Sequence, residues 1–114
     1  MRKLPKLTWI TALIITLLVT GHATAKEPED AVKYCTEISD LARLIMTGRQ
    51  RNAPMSAMME IVTQHSSGEK MTKGLTAMIM LAYGQPRYST ERMQQNAIND
   101  YANDTFLACM RQHQ

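Results

Sequence analysis

Apolar residues recur at intervals of three and four positions from about residue 28 onward, whereas no stretch alternates apolar and polar residues for long. The first spacing places apolar side chains on one face of an α-helix, and alternation would indicate a half-buried β-strand. The pattern therefore predicts an all-α fold, a small closed bundle of about four helices.

Residues that start and stop helices give the boundaries of these predicted elements. The first helix is expected to begin near Pro28 and to end near Gly48, before the segment Asn52-Ala53-Pro54. The other three are expected from Ser56, as the N-cap, to about Ser66, from Glu69 to Tyr83, and from Ser89 or Thr90 to about Met110.

The segment that precedes the helices has the layout of a secretory signal peptide. Arg2, Lys3 and Lys6 form a basic start, residues 9–19 are apolar, and Ala23-Thr24-Ala25 matches a cleavage site. The apolar run is shorter than the roughly 20 residues that a transmembrane helix needs. The sequence therefore predicts a cleaved signal peptide over 1–25 and a single periplasmic domain over 26–114, with no stable membrane insertion after cleavage.

The charge of the predicted domain argues against a nucleic-acid partner. The full chain has a formal net charge of +3, but three basic residues belong to the predicted signal peptide. Residues 26–114 carry ten basic and ten acidic side chains and are neutral overall. A neutral domain has no net field that would hold nucleic acid or an anionic membrane.

Two cysteines, Cys35 and Cys109, lie near opposite ends of the predicted domain. An even number of cysteines in an exported chain indicates a disulfide. Both residues fall on the inward stripes of their helices, Cys35 near the start of the first and Cys109 near the end of the last. A disulfide between them would tie the first helix to the last.

Nine of the ten methionines lie in the predicted domain, and the segment PMSAMMEIV (residues 54–62) contains three of them. Methionine is a flexible filler of apolar cores, and it also lines surfaces that repack around partners. Its thioether is in addition a soft ligand that suits Cu(I). The alternatives are therefore core packing, which the helical spacing favours, a methionine-lined groove, and a copper site formed by Met55, Met58, Met59 and His65.

Catalytic constellations are not evident in the predicted domain. Its two histidines, His65 and His113, stand apart from any nucleophile motif. The carboxylates are scattered among basic neighbours at spacings typical of solvated helix faces, and no zinc, calcium or phosphate-loop motif is present. The sequence predicts a protein that is not an enzyme and that has no cofactor.

The segment AYGQPRYSTER (residues 82–92) places tyrosines and arginines around a proline turn. Tyrosine and arginine are enriched among the residues that dominate binding energy at protein interfaces. One interpretation is a helix connector with Tyr83 tucked beneath it. The other is a partner-binding edge formed by Tyr83, Arg87, Tyr88 and Arg92. The turn at residues 49–51, Arg-Gln-Arg, is expected to be a separate exposed basic spot.

Four segments, CTEISDLARLIMTGRQ, PMSAMMEIV, AYGQPRYSTE and FLAC, together resemble a group of small exported bacterial proteins that are often associated with phages or prophages. The resemblance covers residues 35–109. It implies a periplasmic setting and a compact helical domain with a cysteine near each end. It assigns no activity and no functional residue.

These features predict a periplasmic interaction module that binds another protein of the bacterial envelope, in the manner of a phage modulator of lysis or superinfection. Export, small size and neutrality motivate this hypothesis. The alternatives are a periplasmic copper-binding protein that uses methionine and histidine, and a holdase-type chaperone with an apolar, methionine-rich surface.

Overall fold

The computed structural model describes residues 28–114 of the chain. These residues form four helices, α1 (Pro28–Gln50), α2 (Met55–His65), α3 (Glu69–Tyr83) and α4 (Glu91–Arg111). The predicted all-α fold of four helices is therefore confirmed, whereas the predicted signal peptide lies outside the described residues. Within residues 28–114, no helix combines the length and the apolar character that crossing a membrane would need.

The two longest helices, α1 and α4, pack along each other and form the spine of the bundle. Ser39 Oγ on α1 donates a hydrogen bond to the Ala102 carbonyl on α4 over 2.9 Å. A disulfide joins Cys35 to Cys109, with 5.6 Å between the two Cα atoms. The predicted disulfide is thus confirmed, and it links the start of the first helix to the end of the last.

The shorter helices complete the core. Helix α3 packs against both α1 and α2, and all four helices contribute buried side chains. The core cluster consists of Ala42, Ile45, Met46, Val62, Leu75, Ile79, Ala82, Ile98 and Tyr101. These residues occupy the inward stripes that the three- and four-residue spacing predicts.

Two helix starts compare differently with the sequence prediction. Thr90 caps α4 as expected, because its side-chain oxygen accepts a hydrogen bond from the Met93 amide. Ser56 does not cap α2, because Pro54 occupies the cap position with an extended backbone and its carbonyl accepts the Ala57 amide. The cap, and with it the start of the helix, lies two residues earlier than predicted, since the fixed φ of proline is compatible with this position.

A buried phenol links α4 to α3 and gives the fold a pH dependence. Tyr101 is only 7% exposed, and its hydroxyl donates to the Met78 carbonyl over 2.6 Å. Burial raises the pKa of this hydroxyl above its ordinary value near 10. The folded state therefore binds this proton more tightly than the unfolded state, so the stability that it contributes is complete below about pH 10 and is lost as the pH rises further.

We expect Tyr101→Phe to weaken the alkaline loss of stability. At neutral pH the variant should lose about 1 kcal/mol, the usual contribution of one hydrogen bond. Between about pH 9 and pH 11 its free energy of unfolding should fall less steeply than that of the wild type. Urea unfolding across this range measures both slopes, with Tyr34→Phe as the control on a more exposed tyrosine. Equal slopes for Tyr101→Phe and the wild type would contradict the assignment.

Candidate functional site

The side chain of Gln50 organises one end of the bundle. It lies in the last turn of α1 and is only 1% exposed. Its Nε2 donates to the Pro86 carbonyl over 2.9 Å, and its Oε1 accepts the Tyr88 amide, also over 2.9 Å. Both polar atoms of one buried amide thus bind the backbone of the loop between α3 and α4.

Two arginines fasten the same loop from both sides. Arg87 Nε donates to the backbone carbonyl of Gln50 over 3.1 Å. In the opposite direction, Arg49 Nε donates to the Gln85 carbonyl over 3.1 Å. The end of α1 and the loop of residues 84–90 are therefore joined by four hydrogen bonds that involve Gln50 or its neighbour.

Tyr83 serves as the support beneath this loop. Its hydroxyl donates to the Ala53 carbonyl over 2.7 Å, and the Arg49 guanidinium lies 5.5 Å from the centre of its ring. Burial raises the pKa of the phenol, and the positive charge of Arg49 partly offsets that rise. Of the four predicted edge residues, Tyr83 is thus engaged in holding the chain, as expected of a tyrosine tucked beneath a connector.

The other three edge residues differ in how far they face solvent. Arg87 is exposed although its Nε is engaged, and Tyr88 is half-buried while its carbonyl accepts Gln94 Nε2 over 2.6 Å. Arg92 is exposed in the first turn of α4. All three lie close together in the chain, within residues 87–92.

The expectation of a separate exposed spot at residues 49–51 is wrong for two of its three residues. Arg49 is half-buried and Gln50 is buried, and only Arg51 is exposed. The physical reason is that α1 continues to Gln50, which keeps the inward stripe going one turn beyond Met46. Gln50 follows the buried Met46 by four residues, and this spacing was the available signal that Gln50 is buried. Because glutamine is polar, the pattern of apolar residues did not include it.

Two segments that are distant in sequence therefore form one surface. Arg51 shares a cleft of about 420 Å³ with Glu91 and Ser89, at the start of α4. The hydrogen bonds of Gln50 bring Arg87 to the same end of α1. We call the surface formed by Arg51, Arg87, Tyr88 and Arg92 the arginine edge.

Two exposed apolar residues lie in the last turn of α3, directly before the loop of residues 84–90. Met80 and Leu81 are 60% and 66% exposed, although both are large and apolar. Residues 74–86 contain no charged side chain. Depletion of charge with enrichment of methionine, tyrosine and arginine is the composition found at the centre of protein interfaces.

The three methionines of the segment 54–62 pack against the core, as the helical spacing favours. Met55, Met58 and Met59 are half-buried and contact the core cluster. Met58 reaches α1 at Gly48, where an added Cβ would lie only 3.0 Å from its sulfur. The close approach of α2 to α1 therefore depends on a glycine at that position.

His65, the fourth residue of the alternative copper site, ends α2 on the outside of the bundle. It is exposed, and its Nδ1 lies 2.9 Å from the Ile61 carbonyl. It follows Met58 by seven residues, which is about 10 Å along a helix axis. Copper binding by these residues stays a prediction, as does the chaperone alternative.

One other group of metal-ligand residues occurs within residues 28–114. Cys35, Cys109 and His113 each offer a ligand atom, and these atoms lie within 4.8 Å of one another. Both sulfurs are joined in the disulfide, however, so that neither is a thiolate that could bind a metal. The arrangement is a disulfide with a histidine beside it.

No family model, no curated protein and no solved structure matches this chain. The resemblance to exported phage-associated proteins therefore stays a prediction.

Proposed function

We propose that this protein is a periplasmic interaction module that binds a partner protein of the bacterial envelope through the arginine edge. The observation that carries the proposal is the buried Gln50 side chain, which fastens the loop of residues 84–90 to the end of α1. A loop that is held in this way presents its side chains in one arrangement. Less conformational entropy is then lost on binding than for a mobile loop.

The chemistry of the arginine edge supports a partner with an acidic surface. The edge carries three positively charged arginines, and the acidic side chain that shares the cleft with Arg51 is Glu91. Met80 and Leu81 supply exposed apolar area directly before the loop. Basic side chains together with exposed apolar residues suit an acidic protein patch that itself contains apolar residues, because charges steer association and apolar burial supplies affinity.

The compartment and biological role belong to the same proposal. A disulfide between the terminal helices is compatible with an oxidising compartment such as the periplasm. The resemblance of residues 35–109 to exported phage-associated proteins favours a partner involved in lysis or in a second infection. Such a partner would be inhibited by occupation of its surface, with no chemical step.

The proposal is tested by removing charge from the arginine edge. Arg51→Gln with Arg92→Gln changes two exposed side chains and leaves the hydrogen bonds of Gln50 in place. We expect this pair to lower the affinity for the partner about tenfold at low salt. The measurement is cross-linked capture from a periplasmic extract, followed by titration of the captured protein against each variant.

The matched control is Lys33→Gln with Arg111→Gln, which removes two exposed positive charges from the other end of α1 and α4. Capture of the same acidic protein by the wild type and by the control pair, but not by the Arg51 and Arg92 pair, supports the proposal. Equal affinity of both pairs for the captured protein would contradict it. Circular dichroism of each pair verifies that the helices remain folded.

A further inference from the structure

A cleft lies at the disulfide end of the bundle, away from the arginine edge. Its volume is about 540 Å³, and α1, α3 and α4 all contribute to its walls. Within the bundle, α3 packs closely against α1 and α2, whereas the main packing partner of α4 is α1. This volume is within the range of roughly 300–1,000 Å³ that is typical of small-molecule sites.

The interior of the cleft is mainly apolar and adaptable. Ile38 of α1 lines it together with Leu75 and Met78 of α3, and Met71 is a further lining residue with 39% of its surface exposed. Methionine side chains have three rotatable bonds and adjust to irregular apolar shapes. The walls of the cleft can therefore adjust their shape around an apolar chain.

Gly74 lines the cleft without a side chain of its own. It lies in the middle of α3, where glycine costs about 1 kcal/mol of helix stability relative to alanine. No packing contact accounts for this glycine, because an added Cβ would meet nothing within 4 Å. Its backbone needs no positive φ, unlike that of Gly68. The missing side chain leaves open space that belongs to the cleft.

Lys70 is the charged residue of the lining, and no acidic side chain accompanies it. Among residues 28–114 it forms no ion pair, whereas its neighbour Lys73 pairs with Glu69 over 2.7 Å. One ammonium group at the end of an apolar cleft complements one anionic group on a ligand with an apolar body.

We propose that this cleft binds a monocarboxylate with an unbranched alkyl chain of medium length, with the carboxylate at Lys70 and the chain over Gly74 toward Met78. Lys70 and Met78 are eight residues apart, about 12 Å along the helix axis, which suits an extended chain. A single lysine balances a single negative charge. The lining contains no arginine, whose guanidinium would suit a dianionic phosphate better. The proposal is independent of the arginine edge.

Calorimetric titration of the oxidised protein with decanoate, below the concentration at which it forms micelles, tests the proposal. Amide shifts in ¹⁵N-labelled protein locate the site, and we expect them to centre on residues 70–78. Decylammonium has the same chain and the opposite charge, and it should bind about tenfold more weakly. The absence of saturable decanoate binding, or shifts centred elsewhere, would overturn the proposal.

Two pairs of variants separate the cleft from the rest of α3. Gly74→Leu should abolish binding by filling the cleft, whereas Ala77→Leu places the same side chain at an exposed position that does not line the cleft. Lys70→Gln should weaken binding about tenfold, while Lys73→Gln should change it less than twofold. Gly74→Leu should remain at least as stable as the wild type, since leucine favours a helix more than glycine does.

Decanoate binding that survives in Gly74→Leu would overturn the proposal. Equal weakening of binding by Lys70→Gln and Lys73→Gln would also overturn the proposal. The affinity for decanoate would then depend on the net charge of the protein and not on a contact with Lys70. Phosphatidylglycerol vesicles distinguish a lipid surface from a free carboxylate. Vesicle binding that Gly74→Leu abolishes, together with no saturable binding of free decanoate, would assign the cleft to a membrane lipid and reject the free carboxylate as its ligand.

Discussion

Replacement of both cysteines by alanine is expected to lower the free energy of unfolding by about 4 kcal/mol. Cys35 and Cys109 are separated by 74 residues, so the disulfide closes most of the folded chain into one loop. Its removal chiefly increases the entropy of the unfolded state. In a domain of this size the loss corresponds to a decrease in Tm of about 20 °C.

The folded arrangement of α1 and α4 should survive this change, because Ser39 and Arg43 still donate hydrogen bonds to Ala102 and Asn99 of α4. Thermal unfolding of the double variant measures the loss, and reduction of the wild-type disulfide is the matched control. The two should agree within about 1 kcal/mol, since each substitution by alanine removes only one sulfur atom. A loss below about 1 kcal/mol in both would contradict the entropic account.

Gln50→Leu is expected to cost about 3 kcal/mol of stability, from two backbone groups left without partners. These groups are the Pro86 carbonyl and the Tyr88 amide, both of which Gln50 now satisfies. Leucine has a similar size and no polar atom, so the loss reports the hydrogen bonds and not a cavity. Urea unfolding measures the change, with Gln95→Leu on the exposed face of α4 as the control.

The loop of residues 84–90 should also lose its fixed position in Gln50→Leu. Amide hydrogen exchange of the Tyr88 N–H measures this directly, because that N–H now donates to Gln50 Oε1. We expect faster exchange at Tyr88 in Gln50→Leu and unchanged exchange in Gln95→Leu. Slow exchange at Tyr88 in Gln50→Leu would show that other contacts hold the loop. The explanation of the arginine edge would then have to change.

The helices could be predicted because their signals are local. The spacing of Ala31, Cys35, Ile38, Ala42 and Ile45 by three and four residues is enough to define the inward face of α1. Thr90 caps α4 through a hydrogen bond to a residue three positions away. The disulfide needed one further step, since two cysteines leave a single intramolecular pairing.

The methionines show where such prediction reaches its limit. Helical spacing favoured core packing for Met55, Met58 and Met59, and the three do pack against the core. The same spacing did not distinguish them from Met80, which is 60% exposed on α3. A periodic pattern defines faces of a helix but does not state which of those faces another helix covers.

The sequence by itself determined the four helices, their boundaries within a few residues, and the covalent link between the first and the last. Only the tertiary structure decided that Gln50 is buried, that Arg51 and Arg87 lie at one end, and that a cleft remains open beside Gly74. The physical reason is that helix formation depends on neighbours within four residues. Burial of a polar side chain, and space left between helices, depend instead on groups that lie far away along the chain.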